Sequence, residues 1–397
     1  MMIYFILLTV SILLLIPVLI LFIQIVFAVI SIKNKQPLTK LNSAPKPRVG
    51  IIVPAHNEAS GLAHTLSFIF PQLSEQDQLV VVADNCSDNT AEVSRAAGAI
   101  TLERFDQVLR GKGYALDFGM KYLRANPPDV VMIIDADCEI AGNLIDVLSK
   151  QCMAYQRPVQ ANYVMSFPTV NSLKQQITEF AWLVKNTVRP MGYGNLGLPC
   201  QLMGTGMAFK WEDLSQCNLA SGHLVEDMKL GMDLAAMNRC PVFTYDTQVK
   251  SYFPTSEEGL ASQRARWEHG HLGVIVGEVP KYLVQAIISR NMLMFAQALD
   301  LMVPPLALLL MLILSFSLIS LLFLLMSAYA KPFVISLLAL ALLGLGILIA
   351  WMFFAREIVS LRNLLLAPVV LLKKIPLYIK FVVSRQVDWV RSKRDQD

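Results

Sequence analysis

Residues 1–32 contain no Asp, Glu, Lys or Arg, and residues 301–355 contain one, Lys331. These 87 residues hold 1 of the 64 charged side chains, while the other 310 hold 63, about 20%. Overall the 397 residues are 55% hydrophobic and 16% charged, which excludes a disordered chain and argues against a fully soluble one. The six cysteines, Cys86, Cys138, Cys152, Cys200, Cys217 and Cys240, form no CxxC pair. That fits a reducing compartment and argues against a zinc site or a disulfide frame. No GxGxxG follows a strand, so a nicotinamide cofactor is not expected. Arg110-Gly111-Lys112-Gly113 fails the Walker pattern, which needs Ser or Thr after the Lys. A net charge of +4 gives no sign of nucleic-acid binding.

What is present begins with the uncharged stretches. Met1 to Ile32 exceeds the ~20 apolar residues that cross a bilayer. It lacks a basic start and a small-residue cleavage site, so a retained span is expected rather than a signal peptide. Val303–Met326 and Phe333–Phe354 give two more spans, joined by the short turn 327–332 into a hairpin. Lys33, Lys35, Lys40, Lys46 and Arg48 follow the first span. Arg356, Arg362, Lys373, Lys374, Lys380, Arg385, Arg391, Lys393 and Arg394 follow the last. The positive-inside rule then places the N-terminus outside, with the body and the C-terminal tail in the cytosol. Leu364–Leu372 is too short to span and is followed by basic residues, which predicts a segment in the cytosolic interface. A short helix packed on the soluble body is the alternative.

The charged body alternates strand and helix. Arg48–Val53, Gln78–Ala83 and Val130–Ile134 are β-branched runs. Residues 58–70, 88–97 and 112–126 read as helices, stopped at Pro71, Gly98 and Pro127. This predicts an α/β fold with a parallel sheet covered on both faces. Ligands then bind at the carboxyl ends of the strands.

Those ends carry polar groups. The first delivers Pro54, Ala55, His56, Asn57 and Glu58, and the second Asp84. A carboxylate or amide there can bond a uracil edge or a ribose hydroxyl. Asp88 and Asn89 are equally readable as helix caps. Asp135 and Asp137 leave the third strand two residues apart and point the same way. Their like charges call for a cation, and hard oxygens suit Mg²⁺ or Mn²⁺. Lys112 opens a helix and is placed to meet phosphate. Glu226 and Asp227 enter another helix, either as dipole partners or as a general base. Thr255 with Glu258 reads as a capping box for a helix carrying Gln263, Arg264, Arg266 and Trp267. Positions 263, 266 and 267 share one face, and Arg264 lies about 100° away. The shared face offers a guanidinium for diphosphate and an indole for a sugar ring. Gly204–Met207 is a candidate wall for reading the sugar.

The ordered set PAHNE, VVADNCSDNT, RGKG, DADC, VED and QRARW resembles membrane-bound family 2 glycosyltransferases with a GT-A fold. The QxxRW run is similar to the branch that makes cellulose, chitin, hyaluronan and poly-N-acetylglucosamine. The resemblance implies a mixed, mostly parallel Rossmann-like sheet in a cytosolic domain (48–280), with transmembrane helices at both ends. Around it lie the first span (1–32), a basic linker (33–47), an interfacial connector (281–302), the hairpin (303–354) and a basic interfacial segment and tail (355–397). It implies that Pro54–Glu58, Asp84, Lys112 and Asp135 bind nucleotide, and that Asp135 and Asp137 bind Mg²⁺ or Mn²⁺. It implies Asp227 as general base, with Glu226, Gln263, Arg264, Arg266 and Trp267 around diphosphate and acceptor. The expected enzyme is a multi-pass protein of the cell (inner or plasma) membrane. It would transfer sugar from a UDP-sugar to a growing surface glycan by inversion. The alternatives are single addition to a lipid-linked acceptor, or a non-catalytic sugar-nucleotide-binding membrane protein. Glu268-His269-Gly270-His271 departs from the small residues common in the polymer branch, and three spans are few for it.

Overall fold

The computed structural model describes residues 1–33, 45–170, 172–327, 329–372 and 374–383. Lys35, Lys40, Lys373, Arg385, Arg391, Lys393 and Arg394, and most of the 33–47 linker, lie outside the described residues.

The chain opens with helix α1 (Met2–Lys33). Then β1 (Val49–Ala55), α2 (Ala59–Ile69), β2 (Gln78–Asp84), α3 (Thr90–Ala96), β3 (Ile100–Arg104), α4 (Lys112–Leu123) and β4 (Val130–Ile133) follow in alternation. β1, β2 and β4 are apolar and almost wholly buried, as strands covered on both faces must be. Ile51 and Val53 pack with Leu62 and Leu66 of α2, while Ile52 packs with Leu116 and Leu123 of α4. β3 was not expected. It is a half-exposed edge strand of sequence ITLER, without the continuous apolar run that marks its neighbours.

After β4 the pattern changes. β5 (Glu139–Ile140), α5 (Leu144–Tyr155) and β6 (Val159–Ser166) lead to α6 (Leu173–Leu183), a π-helical turn (Val184–Val188) and α7 (Arg189–Asn195). β7 (Met207–Lys210), α8 (Trp211–Leu214), α9 (Glu226–Ala236) and β8 (Val242–Tyr252) complete the sheet. Its eight strands run in the order β3-β2-β1-β4-β7-β6-β8-β5. The four from β3 to β4 are mutually parallel. β7 is antiparallel to β4 and β6, β6 and β8 are parallel, and β5 is antiparallel to β8. The result is a mixed, mostly parallel α/β sheet. Its chain order switches at β1, between β2 and β4, and a cleft opens beyond the carboxyl ends there.

Helices α10 (Glu257–Gly277), α11 (Val279–Ile288) and α12 (Met292–Leu301) follow, then α13 (Leu306–Ser327) and α14 (Lys331–Ala350), the latter extended by a π turn to Ala355. Short helices α15 (Leu361–Leu365), α16 (Ala367–Leu372) and α17 (Ile375–Val383) end the described chain. Among the described residues, three helices are long and apolar enough to cross a membrane: Met2–Ile32, Leu306–Ser327 and Lys331–Ala355. α13 and α14 meet through Ser320 and Ser336, whose hydroxyls lie 3.0 Å apart.

α1 is docked on the α/β body as well as on α14. Four buried polar side chains join there. Asp300 of α12 accepts from Arg189 of α7 at 2.7 Å, from Gln24 of α1 at 2.5 Å and from Gln201 at 2.7 Å. Arg189 also donates to the Gln24 side chain at 3.1 Å and to the Asp300 carbonyl at 2.7 Å. Gly192 of α7 lies against the α1 backbone. A Cβ there would stand 1.8 Å from the Gln24 carbonyl oxygen, whereas one at Gly194 meets nothing within 4 Å. Gly192→Ala is therefore expected to lose about 1–3 kcal/mol by overpacking. Gly194→Ala is expected to change stability by less than about 1 kcal/mol, and upward if at all. Thermal unfolding in detergent checks the pair; equal melting temperatures would contradict the α1–α7 contact.

Candidate active site

The cleft at the switch point holds a cavity of about 220 Å³. Pro54, Ala55, His56 and Glu58 reach it from the end of β1, and Asp84 from the end of β2. The 54–58 and 84–90 loops lock together. Asn57, at φ +54°, accepts from the Ser87 amide at 2.7 Å, and His56 Nδ1 lies 2.6 Å from the Asp84 carbonyl. Asn57 does not line the cavity; it holds the two loops in register. Asp88 accepts from the Thr90 amide that opens α3 and from the Ala59 amide that opens α2, as a capping residue does, whereas Asn89, the N-cap of α3, makes no capping bond with its side chain. Asp84 faces the cavity, and one of its oxygens accepts from Arg104 at 2.6 Å. Burial raises the Asp84 carboxyl, and Arg104 opposes that rise. Arg104 was not expected, because it stands on the unpredicted strand β3.

Asp135 and Asp137 lie in the turn after β4, both on the cavity wall. The Asp135 amide donates to Thr205 at 3.0 Å. Lys112, at the first position of α4, sits at the centre. Its ammonium is 2.5 Å from Asp135, 2.8 Å from the Gly204 carbonyl and 3.8 Å from Glu226. Burial alone would lower this lysine, but Asp135 and Glu226 outweigh burial and hold it above its usual range. Gly204 has φ +90°, and a Cβ there would approach Lys112 Nζ to 3.4 Å and Asp227 Oδ2 to 3.5 Å. Its lack of a side chain lets this loop lie close over the charged cluster.

Glu226 and Asp227 open α9 and both line the cavity. Asp227 Oδ1 accepts from the Met228 amide at 2.9 Å. Burial raises both carboxyls against the pull of Lys112, and Glu226 is pushed up to about 7. A carboxylate held near neutral pH beside a cation is suited to taking a proton.

α10 starts one residue later than the sequence reading placed its cap. Ser256, not Thr255, is the N-cap and accepts from the Gly259 amide at 3.2 Å. Gln263, Arg266 and Trp267 line the cavity from one helical face. Arg264 does not. It turns away and donates to Thr178 at 2.9 Å, as its 100° offset requires.

The opposite wall was not legible in the sequence. Trp182 of α6 stands 5.1 Å from Trp267, ring to ring, and its indole donates to the Tyr163 carbonyl at 3.0 Å. Lys185 and Asn186, on the π turn, line the same wall. The one signal was a tryptophan three residues before a lysine in the apolar stretch AWLVKN.

Thus carboxylates, two lysines, an arginine and two indoles converge at the ends of parallel strands. A family profile described as glycosyl transferase family 2 matches residues 50–198, and one described as glycosyl transferase family group 2 matches residues 130–355, over half the chain. The chain belongs to glycosyl transferase family group 2. The chain is 26% identical over 258 residues to a 4,4'-diaponeurosporenoate glycosyltransferase of Staphylococcus haemolyticus, spanning 60% of this chain and 65% of the relative. It is 30% identical over 103 residues to a low-salt glycan biosynthesis hexosyltransferase of Haloferax volcanii, 25% of this chain and 24% of the relative. Its fold is similar to a mannosyltransferase of Pyrobaculum calidifontis solved with GDP-Man and Mn²⁺. That match has TM-score 0.52 at 16% identity and covers 96% of this chain and 100% of the other. The GT-A reading of the sheet stands on that likeness.

Proposed function

We propose that this glycosyltransferase is bound to the membrane and moves a sugar from a nucleoside diphosphate, UDP in the first instance, to an acceptor held at the bilayer. One observation carries this reading. The wall bearing Trp182, Lys185 and Asn186 runs on without a break into α7, which packs on the candidate span α1. In this reading the acceptor enters at that wall, beside the candidate span α1.

In this reading Asp84, Pro54, Ala55, His56 and Glu58 hold the nucleoside, and Asn57 keeps their loop in place. Lys112 and Arg266 hold the diphosphate and stabilise its charge as it leaves. Asp227 takes the acceptor proton while the acceptor oxygen bonds the anomeric carbon. The bond from that carbon to the diphosphate oxygen breaks on the opposite side. The configuration inverts, so an α-linked donor yields a β-linked product.

Among the described residues, no three of His, Cys, Asp and Glu converge into an all-protein metal cage. Asp135 and Asp137 nevertheless fit a hard divalent ion, because Mg²⁺ and Mn²⁺ complete their shells with water and substrate phosphates. Bound there, such an ion would neutralise the diphosphate. The Mn²⁺ of the Pyrobaculum structure supports this assignment. EDTA is expected to abolish turnover, and Mn²⁺ or Mg²⁺ to restore it. Activity that survives thorough chelation would remove Asp135 and Asp137 from this role.

The test of the whole reading is nucleotide release from UDP-glucose, UDP-N-acetylglucosamine, UDP-galactose, UDP-glucuronate and GDP-mannose, followed by product sizing. The common face of Gln263, Arg266 and Trp267 favours a second reading, extension of a glycan polymer. A ladder of products would establish that reading, and one added sugar would exclude it. No release from any donor would leave only a binding protein.

A further inference from the structure

The reaction as derived leaves one wall of the cavity unused. It is the turn Val184–Val188, where α6 passes into α7 through a single π-helical turn. Such turns displace side chains from the ordinary helical register and occur often at functional sites. Here both Lys185 and the adjacent Asn186 line the cavity. Asn186 is 3% exposed, and its Nδ2 makes no hydrogen bond among the described residues. A buried donor without a partner is uncommon and unfavourable, so this one calls for a ligand.

Lys185 makes the same demand with a charge. Its ammonium lies 6.0 Å from the centre of the Trp182 ring, and no carboxylate among the described residues stands within 4 Å of it. Burial lowers its pKa, as expected for a lysine taken out of water without a close counter-ion. The charges that act on it are Asp227, Arg189, Glu268 and Asp300. Asp300 is already paired with Arg189 and Glu268 with Lys374. None of the four belongs to the nucleotide end marked by Asp84, Asp135 and Asp137. The diphosphate already has Lys112 at its own end of the cavity, 2.5 Å from Asp135. Lys185 is thus a cation on the base side of the cavity, in a helix that leads to α1.

We propose that Lys185 and Asn186 bind an anionic group, a phosphate or a carboxylate, on the sugar acceptor. A forked oxyanion matches two adjacent donors, one charged and one neutral. The inference deepens the transfer reading and rests on it.

The test uses the full chain in phosphatidylcholine nanodiscs with a donor found active in the nucleotide-release screen. The probes are dodecanol and two acceptors that carry a hydroxyl beside an anion, 2-hydroxydodecyl phosphate and 2-hydroxydodecanoate, read by nucleotide release and by transfer of labelled sugar. An anionic probe is expected to exceed dodecanol by roughly tenfold or more in kcat/KM, since charge-assisted hydrogen bonds are the strong ones. The better of the two anions separates phosphate from carboxylate. Lys185→Met should bring the anionic-to-neutral ratio close to one, mainly through KM, and Lys185→Arg should keep most of the preference. Dodecanol performing as well as both anions in the wild type would overturn the proposal, whether or not the variants fold. So would a ratio unchanged in folded Lys185→Met. Absence of nucleotide release with every donor would instead overturn the transfer reading and the proposal with it.

Discussion

Asp227→Asn is expected to lower the rate of sugar transfer by about 10²–10⁴-fold, the span of a lost general base. Donor binding should survive, because the substitution keeps the shape and the proposed nucleotide end is lined by Asp84 and the 54–58 loop. Glu226→Gln is the necessary comparison, because the two carboxyls are adjacent and both are raised by burial. A base acts only when deprotonated, so a raised Asp227 makes transfer fall on the acid side at a higher pH than a free carboxylate would. Glu226→Gln leaves the Asp227 carboxyl and its Lys112 and Met228 partners in place, so most of the rate should be retained. The measurement is kcat against pH for wild type and both variants. If Glu226→Gln loses the rate and Asp227→Asn keeps it, the base is Glu226, whose carboxyl near 7 would suit the task.

The second large effect concerns stability. Asp300→Ala leaves Arg189, 5% exposed, without its carboxylate and strips Gln24 and Gln201 of their acceptor. Breaking a buried ion pair from one side costs about 3–5 kcal/mol, since the remaining charge stays out of water. The melting temperature in detergent should fall by many degrees. The double variant Arg189→Leu with Asp300→Leu should recover part of the loss, because no orphaned charge remains. A single variant that melts with the wild type would show that the cluster is hydrated rather than closed. Gln201 also lines the cavity, so the same variant should weaken donor turnover even where it remains folded.

The sequence made the first half of the sheet readable, because β1, β2 and β4 are unbroken apolar runs ended by polar rims. It also announced the residues at those rims, since carboxylates at strand ends have few structural uses. What it could not show has physical reasons. β3 mixes Thr, Glu and Arg into a half-exposed edge. The antiparallel strands β7 and β6 pair across the 40 residues of helix and loop between Ser166 and Met207. Arg104 meets Asp84 only through strand pairing, and Asp300 meets Arg189 from 111 residues away. Lys185 and Asn186 line the cavity from the π turn, and regular 3.6-residue periodicity does not forecast that turn. Conversely, the 100° offset of Arg264 was visible from spacing alone, and the helix obeys it.

The docking of α1 on α7 also sets an order of events during synthesis. Gln24 is translated about 165 residues before Arg189 and about 276 before Asp300. At ~5–20 residues per second, the first helix waits roughly 8–30 s for α7 and longer for α12. Throughout that interval its one amide has no native partner, and the polar joint can close only after the catalytic sheet has been made. Helix α1 thus leaves the ribosome well ahead of α7 and α12 and is among the last to reach its final contacts.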